Sequence, residues 1–113
     1  MGSGGSRTGA PDEGSSLRCV PGGIPPEHRP GHFARIERLF RGAAPTHEAE
    51  PGGYRFRFPA EELEEVARFV ALERKCCPFL SFSIEVGPED GPVFLRVSGP
   101  PGARELIEAE LLR

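Results

Sequence analysis

No stretch of this sequence approaches the ~20 consecutive apolar residues that a membrane-spanning helix requires, so no transmembrane helix is expected. The opening residues, "MGSGGSRTGAPDEGSS", also lack the charged-then-apolar layout of a secretory signal. The expectation that follows is a cytoplasmic protein. A positive surplus is missing too: 14 Lys and Arg stand against 17 Asp and Glu, a formal net charge of -3. Nucleic acid and anionic membranes both select clustered positive charge, so neither is an expected partner. Phosphate-binding loops of the G-x-G-x-x-G or P-loop kind are absent, as are an H-E-x-x-H zinc pair and any internal repeat. Cysteine is scarce, with three in 113 residues. An odd count of three is too small for a disulfide framework, and a closed four-thiolate zinc site is excluded outright. In a reducing compartment the three are expected as thiols, ligands or redox groups, not as structural staples.

The chain is long enough for one modest core. Residues 1–16 hold almost nothing apolar to offset the entropy of ordering and read as a disordered tail, which leaves residues 17–113 as a single domain. "LRCV", residues 17–20, reads as a short strand ended by Pro-Gly-Gly. Phe33, Ile36, Leu39 and Phe40 then recur at helical spacing, with Arg35, Glu37, Arg38 and Arg41 on the other faces. "GAAPTHEAEPGG", residues 42–53, breaks that pattern. In "YRFRF", Tyr54, Phe56 and Phe58 alternate with Arg55 and Arg57, the mark of a half-buried strand.

"PAEELEEVARFVALERKCC" opens with proline and glutamates, which suit the positive end of a helix dipole, and closes with Arg74 and Lys75 at the negative end. Leu63, Val66, Phe69, Val70 and Leu72 supply its buried stripe. Two more alternating runs, Leu80 to Val86 and Val93 to Val97, flank a Gly/Pro/Asp turn and predict a hairpin, and Leu106, Ile107 and Leu111 predict a closing helix. The order βαβαββα and the clean alternation predict an α+β two-layer sandwich, a mixed four-stranded sheet with helices on one face. On the other face Phe94 falls among Arg55, Arg57 and Arg96. Phe and Arg are enriched at interfaces, so a symmetric homodimer is expected through this face or an edge strand.

Two of the cysteines, Cys76 and Cys77, are adjacent and are followed by Pro78. Proline cannot continue a helix and pushes its predecessor towards an extended backbone, so the chain should turn from helix to strand at the pair. A disulfide between neighbours would join Cα atoms about 3.8 Å apart, below the ~4.4–6.8 Å of a relaxed bridge. It would be labile and suited to exchange or sensing. As ligands, thiolates select soft or borderline ions such as Zn(II), Cu(I), Cd(II), Hg(II) or As(III). Neighbouring side chains diverge by about 100° in a regular helix, a divergence that termination at Pro78 relieves. Cys19 offers a third sulfur, with His28, His32 or Glu73 to complete a shell.

As nucleophiles the cysteines are less favoured. A helix C-terminus disfavours the thiolate while Arg74 and Lys75 favour it, so no lowered pKa follows and no catalytic residue is assigned. Packing is the plainest alternative, because cysteine is among the most buried residue types. His28 and His32, separated by Pro30 and Gly31, read as loop residues, and Glu61, Glu62, Glu64 and Glu65 as a solvated helix start.

The run "LEEVARFVALERKCCPFLSFSIEV", together with "YRFRFP" before it and "GPVFLRVSGPPGARELI" after it, resembles a family of small bacterial proteins of uncharacterised activity. Its mark is Glu, two spacers, Cys-Cys-Pro-Phe, matched here by Glu73, Cys76, Cys77, Pro78 and Phe79. The resemblance implies a cytosolic α+β domain, an association with heavy-metal resistance or regulation, and a third cysteine in the first strand, matched by Cys19. Three readings stand side by side. The first is a metal site for zinc, copper(I) or mercury with Cys76, Cys77 and Cys19 as ligands and Glu73 as a supporting or gating carboxylate. The second is a thiol-redox protein cycling a Cys76–Cys77 disulfide, and the third a non-catalytic dimeric module whose cysteines pack.

Overall fold

Tyr54, Phe56 and Phe58 are buried while Arg57 is exposed, as a strand with one wet face requires. The computed structural model describes residues 17–42 and 45–112, so the expected tail over residues 1–16 lies outside the described residues. Helix α1 (Arg29–Ile36) continues in wider π-type turns over Glu37–Gly42. Strands β1 (Thr46–Glu50) and β2 (Gly53–Phe58) follow, then helix α2 (Leu63–Cys76) and strands β3 (Ser81–Val86) and β4 (Val93–Ser98). Helix α3 (Ala103–Ile107) runs on in π-type turns over Glu108–Leu112. The strands form one sheet in the order β1-β2-β4-β3.

The α+β sandwich of four strands and three helices is as expected; two details differ. Every strand pair is antiparallel, so the sheet is not mixed. The first strand is not residues 17–20 but Thr46–Glu50, which makes the order αββαββα. That edge strand buries almost nothing, with Thr46 to Ala49 all exposed, so no apolar alternation was needed to form it. What fixes it is the turn to β2, where Pro51 and Gly52 close a two-residue hairpin and Gly52 takes φ 77°, a conformation that glycine adopts without penalty.

The three helices and the inner face of the sheet share one core: Ile36, Leu39 and Phe40 of the first helical segment, Val66 and Phe69 of α2, Ile107 and Leu111 of the last, and the inward residues of β2 and β4. Phe40 meets Phe56 and Phe58 edge-on, at 5.1 and 5.6 Å between ring centroids. Each such phenylalanine contributes roughly 1.5–3 kcal/mol on burial. The α1 stripe is rotated by one residue from the sequence reading. Phe33 is 43% exposed, and the buried position one residue earlier belongs to His32, which is not a loop residue. No described helix is long and apolar enough to cross a membrane.

On the wet face of the sheet, the Arg55 guanidinium lies 3.9 Å above the Phe94 ring. Arg96 pairs with Glu50 at 3.2 Å and Arg55 with Glu48 at 3.7 Å. The ring that suggested an interface is thus partly covered within its own chain.

Candidate metal centre

Helix α2 buries Val66, Phe69, Glu73 and Cys76 along one stripe, so the register that packs two apolar residues also carries a carboxylate and a thiol inward. The helix ends at Cys76. Cys77 leaves it with φ -123° and ψ 77°, the extended turn that Pro78 imposes. Helix ends leave carbonyls without intrahelical partners. The segment 17–24 crosses this end as a strap and meets that need, because the Val20 N–H donates to the Cys76 carbonyl at 2.5 Å. A short 3₁₀ turn, Pro21–Gly23, then brings the backbone so close to the Lys75 carbonyl that a Cβ at Gly23 would collide with it. Ile24 completes the strap, fully buried against Cys76 and Cys77 with Leu72, Phe79 and Leu80 around them.

The strap delivers Cys19 to the cysteine pair. Cys19 and Cys77 form a disulfide across 58 residues of sequence, with Cα atoms 4.5 Å apart, while Cys76 stays a free, buried thiol. This corrects two expectations: the bridge is not between the neighbours, and Cys19 is neither a strand residue nor free. Cys76 faces inward on the helix stripe while Cys77 has already turned out of the helix towards the strap, so each sulfur has its own direction. The sulfurs of Cys19, Cys76 and Cys77 nevertheless lie within 4.8 Å of one another.

Two carboxylates stand beside them, since oxygens of Glu73 and Glu110 lie within the same 4.8 Å of the Cys19 and Cys77 sulfurs. Glu73 is 2% exposed and holds two partners: His32 Nε2 at 2.8 Å from Oε1, and Cys77 Sγ at 3.4 Å from Oε2. The second contact is an S–H···O hydrogen bond only when the disulfide is open, because a bridged sulfur carries no proton. His32 stacks on Phe69, with ring centroids 5.8 Å apart, and its Nδ1 is buried without a hydrogen-bond partner. Burial, then the charge of Glu73, push the Glu110 carboxyl above its ordinary range.

Burial, reinforced by the charges of Glu73 and Glu110 and opposed by the Val20 N–H, pushes the Cys76 thiol from 9.0 up to about 11. At pH 7 a group with that pKa is thiolate in about one molecule in ten thousand. Two outcomes follow. In the disulfide form, alkylation of Cys76 by iodoacetamide should be far slower in the folded chain than in urea. Stability should also fall as pH rises from about 9 to about 11, because over that window the unfolded chain releases the proton first. Denaturant titrations of Cys76→Ala should flatten that decline; an unchanged decline would assign it to another group.

Cys19 and Cys77 thus stand with Cys76 in one group and with Glu73 and Glu110 in another, whereas among the described residues His28 belongs to neither. His32 and Glu110 were missed as neighbours of the site. Spacing of four and seven from His32 to Ile36 and Leu39 was the available signal for the histidine. Nothing local marks Glu110, which reaches the cysteines through tertiary packing of the last helical segment.

No family model matches the chain, and no curated protein or solved structure is significantly similar to it.

Proposed function

We propose that this chain binds a soft metal or metalloid ion through the thiolates of Cys19, Cys76 and Cys77, with Glu73 supporting the site. The observation that carries the reading is the approach of the three sulfurs to within 4.8 Å of one another. Three sulfurs each about 2.3 Å from one ion lie about 4 Å apart, so small side-chain rotations suffice once the disulfide is open. The thiolate set suits zinc, copper(I) or mercury better than hard ions. Ile24, Leu72, Phe79 and Leu80 keep the sulfurs among apolar groups, where charge interactions are stronger than in water. A reducing cytoplasm would hold the sulfurs ready for the ion.

Native mass spectrometry of the reduced protein, titrated anaerobically with Zn(II), Cu(I) and Hg(II), tests the proposal. One ion per chain is expected, lost when Cys76→Ser and Cys77→Ser are combined. No bound ion, or equal binding by the double variant, would sink it.

The Cys19–Cys77 disulfide favours a second reading, a thiol-redox protein cycling that bond. Cys76, with its pKa near 11, is a poor attacking thiol for exchange with it. Redox cycling would therefore depend on an outside thiol, and failure of glutathione to open the bridge in the folded chain would remove this alternative.

A further inference from the structure

We infer that the thiolate site is redox-gated: the Cys19–Cys77 disulfide and a bound soft ion are mutually exclusive states of the same sulfurs, so oxidation expels the ion and the ion shields the sulfurs from oxidation. The inference rests on the metal-binding reading and adds its regulation. Two of the three sulfurs able to reach one ion are the two that are bridged. A bridged sulfur has no thiolate to donate, which leaves Cys76 alone, and one buried thiol cannot hold an ion that needs two or three.

The surroundings fit both states. The strap is fixed by contacts other than the bridge, namely the Val20 N–H on the Cys76 carbonyl, the close approach of Gly23 to Lys75 and the burial of Ile24. Cys19 therefore stays beside Cys77 when the bridge opens, and gating needs no unfolding. Glu73 Oε2, 3.4 Å from the Cys77 sulfur, accepts a hydrogen bond from its thiol only in the open state, so the site carries an acceptor for the reduced form that the bridged sulfur cannot use.

The electrons balance with a disulfide oxidant of the glutathione type. The two sulfurs give up two electrons and form one S–S bond. The oxidant's S–S bond breaks, and its two halves leave as thiols after taking up two protons. The ion departs hydrated. Opening runs the same exchange backwards with two glutathione molecules as reductant, and ion binding then displaces the thiol protons to water.

Cd(II) is a suitable probe because its thiolate charge-transfer absorption reports sulfur ligation directly. Protein reduced with a phosphine and desalted is compared with protein carrying the intact bridge, both titrated with Cd(II) under argon. The reduced form is expected to bind one Cd(II), with affinity at least about a thousandfold above the bridged form, since two of three thiolates are lost on oxidation. Cd(II)-loaded protein should form the Cys19–Cys77 bridge at least tenfold more slowly in glutathione disulfide than the metal-free protein, read by mass after alkylation. Equal Cd(II) affinity in the two forms, or equal oxidation rates with and without Cd(II), would overturn the gate and leave the metal site standing. A reduced protein that binds no Cd(II) would remove the metal site itself, and the gate with it.

Discussion

Opening the Cys19–Cys77 disulfide is expected to lower the free energy of unfolding by about 2–4 kcal/mol. The bridge closes a loop of 58 residues, which in the chain-entropy view removes roughly 4 kcal/mol worth of freedom from the unfolded chain. Contacts that hold the strap independently do not reduce this effect, because it acts on the unfolded state. Domains of this size are typically stable by only about 5–15 kcal/mol, so the loss is a large fraction of the total. Urea titrations of the oxidised chain, the reduced chain and Cys19→Ala should show the last two near one another and both well below the first. The dependence on urea should also steepen without the bridge, since the unfolded chain exposes more surface. A shift below about 0.5 kcal/mol would show that the closed bridge contributes little to stability.

Glu73→Ala is expected to cost about 2–3 kcal/mol, the upper part of the range for leaving a buried hydrogen-bonding group without its partner. Both His32 and Glu73 are almost wholly enclosed, and a 2.8 Å bond joins their side chains. Losing the carboxylate leaves His32 Nε2 without its partner, beside an Nδ1 that already has none. Glu73→Gln keeps the shape and one acceptor and should cost only about 1 kcal/mol. Replacing both groups, His32→Phe with Glu73→Leu, should recover most of the loss, since a well-packed apolar pair is often no worse than a buried polar one. Thermal and urea unfolding of the three variants gives the comparison. A Glu73→Ala loss no larger than that of Glu73→Gln would show that the His32 contact contributes little to the fold.

Where burial and periodicity coincide, the fold was legible from the residues. Tyr54, Phe56 and Phe58, and later Val93, Leu95 and Val97, had to share a face, and the helix ending at Cys76 was announced by Pro78. The edge strand Thr46–Glu50 was not legible, because a strand that buries neither face carries no apolar signature and depends on its partner β2 for definition. Residues 17–20 have the composition of a strand, but their extended backbone bonds to a helix end and not to a sheet.

The site was legible to the same degree. Adjacency of Cys76 and Cys77 drew attention to the place where the three sulfurs gather, and Glu73, one turn earlier, shares the buried stripe with Cys76. Pairing was a different matter. Which cysteine reaches Cys19 depends on the angle at which the strap crosses the helix end, a property of packing that no spacing records. His32 was hidden by its neighbours Pro30 and Gly31, which look like loop residues yet sit in the first turn of α1, where proline's missing N–H costs nothing.

X-ray absorption at the zinc edge, on reduced protein loaded with one Zn(II), tests the metal site most directly because it counts the ligand atoms. Three sulfurs at about 2.3 Å and one lighter oxygen or nitrogen atom are predicted, with the sulfur count falling to two in Cys19→Ser. A shell made only of oxygen and nitrogen, or one whose sulfur count is unchanged in Cys19→Ser, would contradict a centre built from Cys19, Cys76 and Cys77.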